Sequence, residues 1–255
     1  MRDLMPEGHA PMNRVVLVTG SSRGIGRETA RLFALGGDRV VINYHMHAES
    51  AETLAAQLRE SGCPVLVIRA DVSDRAQVDA MVSTITRSWG PVDVLVNNAG
   101  IAQQKLFTHI SEAEWDRMFA VHVKGTYHCC QEVLPEMIRR HAGKIINLSS
   151  IWGLTGSSCE VHYSAAKAAV IGMTRAMAKE LGPSNIQVNC VAPGVIDTDM
   201  NAGLDEETRA VLREQTPLGI LGCAADIAHA IVFLASEQAA FITGQIISPN
   251  GGFLI

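Results

Sequence analysis

Short runs of β-branched and aliphatic residues recur along the chain, separated by segments whose apolar residues fall at helical spacing, and this alternation constrains the fold more than any other feature. Arg14 to Thr19 is the first run, closed by Gly20; Gly24 to Leu35 follows with Ile25, Thr29, Leu32 and Phe33 on one helical face. The pattern repeats as a strand from Arg39 to Asn43 with a helix over Ser50 to Glu60, then a strand from Val65 to Ala70 with a helix from Asp74 to Trp89. Val92 to Asn97 gives a fourth strand. Lys144 to Ser149 and Ile186 to Val191 read as buried strands, each after a long helix (about Glu112 to Arg140 and His162 to Leu181), and Gln245 to Ser248 is a last short one.

Strands that are apolar throughout and alternate with helices imply a parallel sheet covered on both faces. With right-handed crossovers this gives an α/β fold, a doubly wound Rossmann-type domain on a mainly seven-stranded parallel sheet. At 255 residues and 47% hydrophobic content the chain suits one such domain, spanning 13–255 after a frayed N-terminal stretch at 1–12. That stretch carries Asp3, Pro6 and Glu7 where a signal peptide needs apolar residues, and no later apolar run spans a bilayer, so a cytoplasmic protein is expected. A net charge of -5 without any Lys/Arg run argues against nucleic-acid partners. Six cysteines lack CxxC pairing and read as reduced thiols. The irregular stretch from Asp197 to Gly222, with an amphipathic piece over Leu204 to Gln215, is placed after the sixth strand where a substrate lid belongs; an ordinary surface insertion is the alternative.

Thr19-Gly20-Ser21-Ser22-Arg23-Gly24-Ile25-Gly26 joins the first strand to the first helix, so its glycines fall where backbone must turn tightly against a pyrophosphate at a helix N-terminus. NAD sites place an acid at the end of the second strand. Here that end reads Val41-Ile42-Asn43-Tyr44-His45, with no carboxylate. Arg23 instead offers a guanidinium suited to the 2′-phosphate of NADP, unless it is merely a solvated surface residue. Tyr163 and Lys167 stand one helical turn apart and share a face. A phenol with its ordinary pKa near ~10 is a poor acid–base group at neutral pH, and a nearby ammonium is expected to lower that value.

Taken together, T-G-x-x-x-G-I-G at Thr19 to Gly26, Asp71-Val72, Asn97-Asn98-Ala99-Gly100, Ser150 upstream of Tyr163-x-x-x-Lys167, and Pro193-Gly194 resemble the short-chain dehydrogenase/reductase family over about Arg14 to Ile255. The resemblance implies that Gly20, Ser22, Arg23, Gly24, Ile25 and Gly26 cradle the phosphates of NADP(H), that Asp71 and Val72 flank the adenine, and that Asn98, Ala99 and Gly100 line the ribose. It assigns the nicotinamide side to Pro193, Gly194, Ile196 and Thr198, and a ketone reduction to Ser150, Tyr163 and Lys167, with Ser149 as the alternative to Ser150. It also implies a homotetramer built through the two long helices.

Where the family usually has an Asn in the helix after Asn-Asn-Ala-Gly, this segment reads Val121-His122-Val123. His122 is placed either in the proton relay behind Lys167, as a neutral imidazole, or in the core. Among family members the chain most resembles 3-oxoacyl-[acyl-carrier-protein] reductases, through its glycine turn, Thr198-Asp199-Met200 and its Asn250-Gly251-Gly252 ending; an acidic carrier protein would then dock on basic residues, for which Arg139, Arg140, Lys144 and Lys179 are candidates. Locally, Ser149 to Gly153 and Ser158 to Val161, together with His122, resemble reductases of the 5-aminopentanone group on elongation factor P, and Glu160 with Trp152 would suit an ammonium there, unless they only pack and cap the loop before the Tyr163 helix. A non-catalytic NADP(H) sensor is the reading outside the enzyme class.

Overall fold

The computed structural model describes residues 13–198 and 205–255; the expected frayed terminus at 1–12 and residues 199–204 of the expected lid lie outside the described residues. Apart from short 3-10 turns, the elements in chain order are β1 (Val15–Val18), α1 (Gly24–Leu35), β2 (Arg39–Tyr44), α2 (Ala48–Glu60), β3 (Val65–Arg69), α3 (Arg75–Trp89), β4 (Val94–Asn97), α4 (Glu112–Phe119), a π-helical turn (Ala120–Lys124) and α5 (Gly125–Arg140). There follow β5 (Gly143–Leu148), the short α6 (Trp152–Thr155), α7 (Val161–Leu181), β6 (Ile186–Val191), β7 (Ile196–Asp197), α8 (Glu206–Gln215), β8 (Gly222–Cys223), α9 (Ala224–Leu234) and β9 (Ile246–Ile247).

Seven parallel strands form the main sheet in the order β3-β2-β1-β4-β5-β6-β9. Successive residues of β1 face opposite layers. Val16 and Val18 join Phe33 and Leu54 under α1, α2 and α9, while Val15 and Leu17 join Met81, Ile85 and Met137 under α3 and α5. With helices on both sides, both faces of β1 are buried, which is why that run reads as apolar throughout. The winding reverses between β1 and β4, and the crevice beyond the carboxyl ends of these two strands is where such sheets bind ligands.

Two local features depart from the expected elements. The helix expected over Glu112 to Arg140 is interrupted: after Phe119 the backbone widens into the π-helical turn, and the Thr126 hydroxyl donates to the carbonyl of His122 at 2.8 Å. One residue added to a turn is invisible to a 3.6-residue periodicity, and such turns concentrate at functional sites. The two ends of the stretch after β6 are also tied together, since Ile196 and Asp197 pair in parallel with Gly222 and Cys223. Among the described residues no helix is long and apolar enough to cross a membrane.

Candidate active site

The glycine turn after β1 is built by its neighbours. Gly20 and Gly24 hold φ of +63° and +56°, left-handed values that favour glycine. A Cβ on Gly26 would lie 2.4 Å from Asn98 Nδ2 and 2.7 Å from the Gly20 carbonyl oxygen, so the helix can approach the turn only without a side chain there. Asn98 Nδ2 donates to the carbonyls of Thr19 (2.8 Å) and Gly20 (3.0 Å). Asn43 lines the dinucleotide cavity and gives its side-chain amide to the backbone. Its Oδ1 accepts from Gly20 N at 3.1 Å and its Nδ2 donates to the carbonyls of Ile68 (3.3 Å) and Ala70 (3.2 Å), so it shapes the floor of the turn.

Helix α1 begins without a side-chain cap and without an acid in its first turn, leaving the positive end of its dipole toward an anion. A cavity of about 280 Å³ opens in front of it, lined by Gly20, Ser22, Arg23, Gly24, Ile25, Asn43, Asp71, Val72, Asn98, Ala99, Gly100 and Thr198. These residues fit a dinucleotide. Arg23 is exposed and makes no ion pair among the described residues, and no carboxylate ends β2. His45, which follows β2, lines the same cavity together with Met46, His47 and Arg117, three residues the motifs did not single out. Arg117 reaches it from α4: its Nη2 lies 3.1 Å from Asp71 Oδ2 and its Nη1 donates to Ser73 Oγ at 2.7 Å. Burial pushes the Asp71 carboxyl upward, but its bonds from Ser73 and the Arg117 guanidinium outweigh that and hold it below its ordinary range. A partner 46 residues away leaves no local signal in the chain.

A second cavity, of about 370 Å³, shares Ile25, Asn98, Gly100 and Thr198 with the first. Into it turn His122, Ser149, Ser150, Trp152, Glu160, Tyr163, Lys167, Pro193, Gly194 and Ile196. Ser150 follows β5, and its Oγ accepts from Trp152 N at 3.2 Å. Ser149 Oγ instead donates to the Lys167 carbonyl at 2.9 Å, which leaves Ser150 as the serine whose hydroxyl meets the Tyr163 phenol. Tyr163 and Lys167 occupy one face of α7, both buried, with Lys167 Nζ 5.6 Å from the phenol ring centre.

The phenol differs from expectation. Burial pushes Tyr163 up to about 12, against the opposing pull of Ser150 and with the Glu160 carboxylate adding to the rise. Lys167 Nζ donates to the Leu148 carbonyl at 2.8 Å, and burial lowers Lys167 itself to about 8. At neutral pH the site therefore holds a protonated phenol, an acid poised to donate.

His122 sits on the π-helical turn with its ring edge-on to Tyr163, centroids 5.4 Å apart. Its Nε2 lies 2.7 Å from the Ile101 carbonyl oxygen and 3.1 Å from the Ile101 backbone nitrogen, so the ring is held against one residue and its tautomer sets whether it donates or accepts there. Burial and the Lys167 charge hold the imidazole well below its ordinary value, so it is neutral. It also packs against Gly100, where a Cβ would come within 2.5 Å of its Cε1.

The basic residues expected to receive an acidic carrier do not face this site. Arg140 and Lys144 lie at the amino end of β5, Arg140 paired with Asp93 at 2.6 Å and Lys144 donating to the Ser236 carbonyl at 3.3 Å. Arg139 pairs with Glu136 at 2.6 Å. Lys179 follows Tyr163 by sixteen residues along α7, roughly 24 Å at the rise of an α-helix. Strand direction separates these four from the carboxyl-end crevice, a relation that linear order hides.

A doubly wound sheet with a glycine turn before α1 and a Ser-Tyr-Lys group at its carboxyl edge defines a dinucleotide-binding oxidoreductase. A family model described as Enoyl-(Acyl carrier protein) reductase matches residues 20–254. The chain is 42% identical over 241 residues to the 3-oxoacyl-[acyl-carrier-protein] reductase FabG of Staphylococcus aureus, covering 94% of this chain and 98% of that protein. The FabG of Chlamydia muridarum is 42% identical over 242 residues, with 94% of this chain and 97% of that protein covered. Among solved structures, a gluconate 5-dehydrogenase from Burkholderia cenocepacia in complex with NADP and tartrate superposes with a TM-score of 0.89 at 35% identity, covering 94% of each chain. The chain belongs to the short-chain dehydrogenase/reductase family of oxidoreductases.

Proposed function

We propose that this protein is an NADPH-dependent reductase that converts the ketone of a 3-oxoacyl thioester, carried on acyl carrier protein, to an alcohol. The observation that carries this reading is the buried group of Ser150, Tyr163 and Lys167 lining one cavity that shares residues with the dinucleotide cavity. The nicotinamide cofactor supplies the hydride. Ser150 holds the substrate oxygen, Tyr163 gives it a proton, and the Lys167 ammonium steadies the ribose hydroxyls and later helps to reprotonate the phenol. Arg23 pairs with the 2′-phosphate, and the absence of an acid at the end of β2 removes the feature that favours NAD. The relatives' names supply the substrate class.

Residues 13–255 act as one catalytic domain. The chain assembles as a homotetramer through α5 and α7; Tyr127 and Ile138, large apolar residues exposed on α5, support this. Six free thiols suit a reducing, cytoplasmic setting. The test follows NADPH loss with an acetoacetyl thioester, an amino ketone and a sterol ketone. Turnover of the thioester above the others supports the reading, and absence of turnover on all three would favour a dinucleotide sensor.

A further inference from the structure

The chain after Gly100 carries Gln103 along the wall of the cavity that holds Ser150 and Tyr163. The Gln103 amide is clamped at both ends: its Nε2 donates to Glu114 Oε1 at 2.7 Å, and its Oε1 lies 2.9 Å from His162 Nε2. Charge fixes which end is which. Lys105 Nζ meets both Glu114 oxygens, at 2.7 and 2.8 Å, and with the Ser111 cap it holds that carboxyl well below its ordinary range, so Glu114 only accepts. The nitrogen end of the amide therefore faces Glu114 and the oxygen end faces His162, which carries its proton on Nε2. His162 Nδ1, buried without a hydrogen-bond partner among the described residues, is the lone-pair nitrogen of that tautomer, and burial lowers the ring below its ordinary value and keeps it neutral.

Holding the loop down does not require this arrangement, because Lys105 N donates to the Cys159 carbonyl at 2.7 Å and Lys105 Nζ pairs with Glu114. A primary amide has two N–H groups and two lone pairs. One of each is used, so Gln103 keeps one N–H and one lone pair at the cavity wall, on a side chain whose rotamer freedom is already given up. Ser150 and Tyr163 account for the ketone oxygen and leave the rest of the substrate unread. We propose that Gln103 is a specificity-determining residue that binds a second substrate carbonyl, the one two carbons from the ketone in a 3-oxoacyl chain, so that the site selects 1,3-dicarbonyl substrates over plain ketones. The proposal rests on the site's reading as a ketone reductase. His162 and Glu114 are positioning residues that act through the amide.

Ethyl acetoacetate and heptan-2-one test it, since both are methyl ketones on chains of equal length and only the first has a second carbonyl. The ester is intrinsically the more reactive, so the quantity read is the change on substitution in the ratio of their kcat/KM values, in which intrinsic reactivity cancels. In Gln103→Met, which keeps the length and loses the amide, that ratio is expected to fall at least about fivefold, what one neutral hydrogen bond supplies, with the loss confined to the ester. Gln103→Glu, which still accepts from His162 and has no N–H to spare, should show the same fall, and it decides the matter if circular dichroism shows the Met variant unfolded. Binding of ethyl 3-hydroxybutanoate to the NADPH-loaded protein, read by ligand-observed NMR, should weaken by a similar factor in both variants while heptan-2-ol is unaffected. A smaller change in the ratio, or equal losses on both ketones, overturns the proposal and leaves Gln103 a structural bridge. If the wild type reduces neither ketone nor an acetoacetyl thioester, the reductase reading itself fails, and the binding comparison alone decides the role of Gln103.

Discussion

At the scale of single residues, the site combines an acid held in its protonated form with a cation near the edge of its range. Tyr163 keeps its proton up to about 12, whereas Lys167 loses its own near 8. The ammonium is therefore present at neutral pH and lost above it. Turnover in the reducing direction should fall as pH rises through about 8, and Lys167→Arg, whose guanidinium stays charged, should move that fall upward; kcat against pH for both proteins checks this. His122 gives a pH dependence of stability. Its folded value lies well below 6.5, so its contribution is complete above 6.5 and is lost as pH falls from there toward the folded value. His122→Asn should lessen that acid loss, read as Tm against pH. Arg23→Ala should weaken NADPH binding by roughly 10-fold or more and leave NADH binding little changed, since one charge-assisted bond to phosphate is at stake. Equilibrium titration with each cofactor measures this directly.

At the scale of elements, most of the fold was legible because strands covered on both faces announce themselves. Val15 to Val18 and Val188 to Val191 have almost no surface to vary. The glycine turn was equally plain, since Gly20, Gly24 and Gly26 stand where β1 hands over to α1. What escaped were effects of tertiary approach. Arg117 meets Asp71 only because α4 crosses the crevice, Asn43 is taken up by three backbone groups, and the π-helical turn that carries His122 changes no residue spacing. The Tyr163 pKa moved opposite to the expected direction because burial, which spacing cannot report, is the largest influence on it. Gly26→Ala tests the turn as a unit. The added methyl has backbone and amide within 2.7 Å, so the variant should lose stability by about 1–3 kcal/mol, as overpacking does, and bind NADPH more weakly. Urea unfolding with and without NADPH reads both effects.

At the scale of the whole molecule, the account joins two cavities at the point where the strand order reverses, one fitted to a dinucleotide and one holding an acid, a serine and a lysine. The proposed ketone reduction in the second cavity depends on proton transfer from a single oxygen. Tyr163→Phe isolates that oxygen, since the ring still packs against His122 and Lys167. The decisive measurement is NADPH consumption with an acetoacetyl thioester by the wild type and Tyr163→Phe, alongside NADPH titration of both. The account predicts a loss of roughly 10²–10⁴-fold in kcat with NADPH affinity unchanged; a folded Tyr163→Phe protein turning over at the wild-type rate would contradict it.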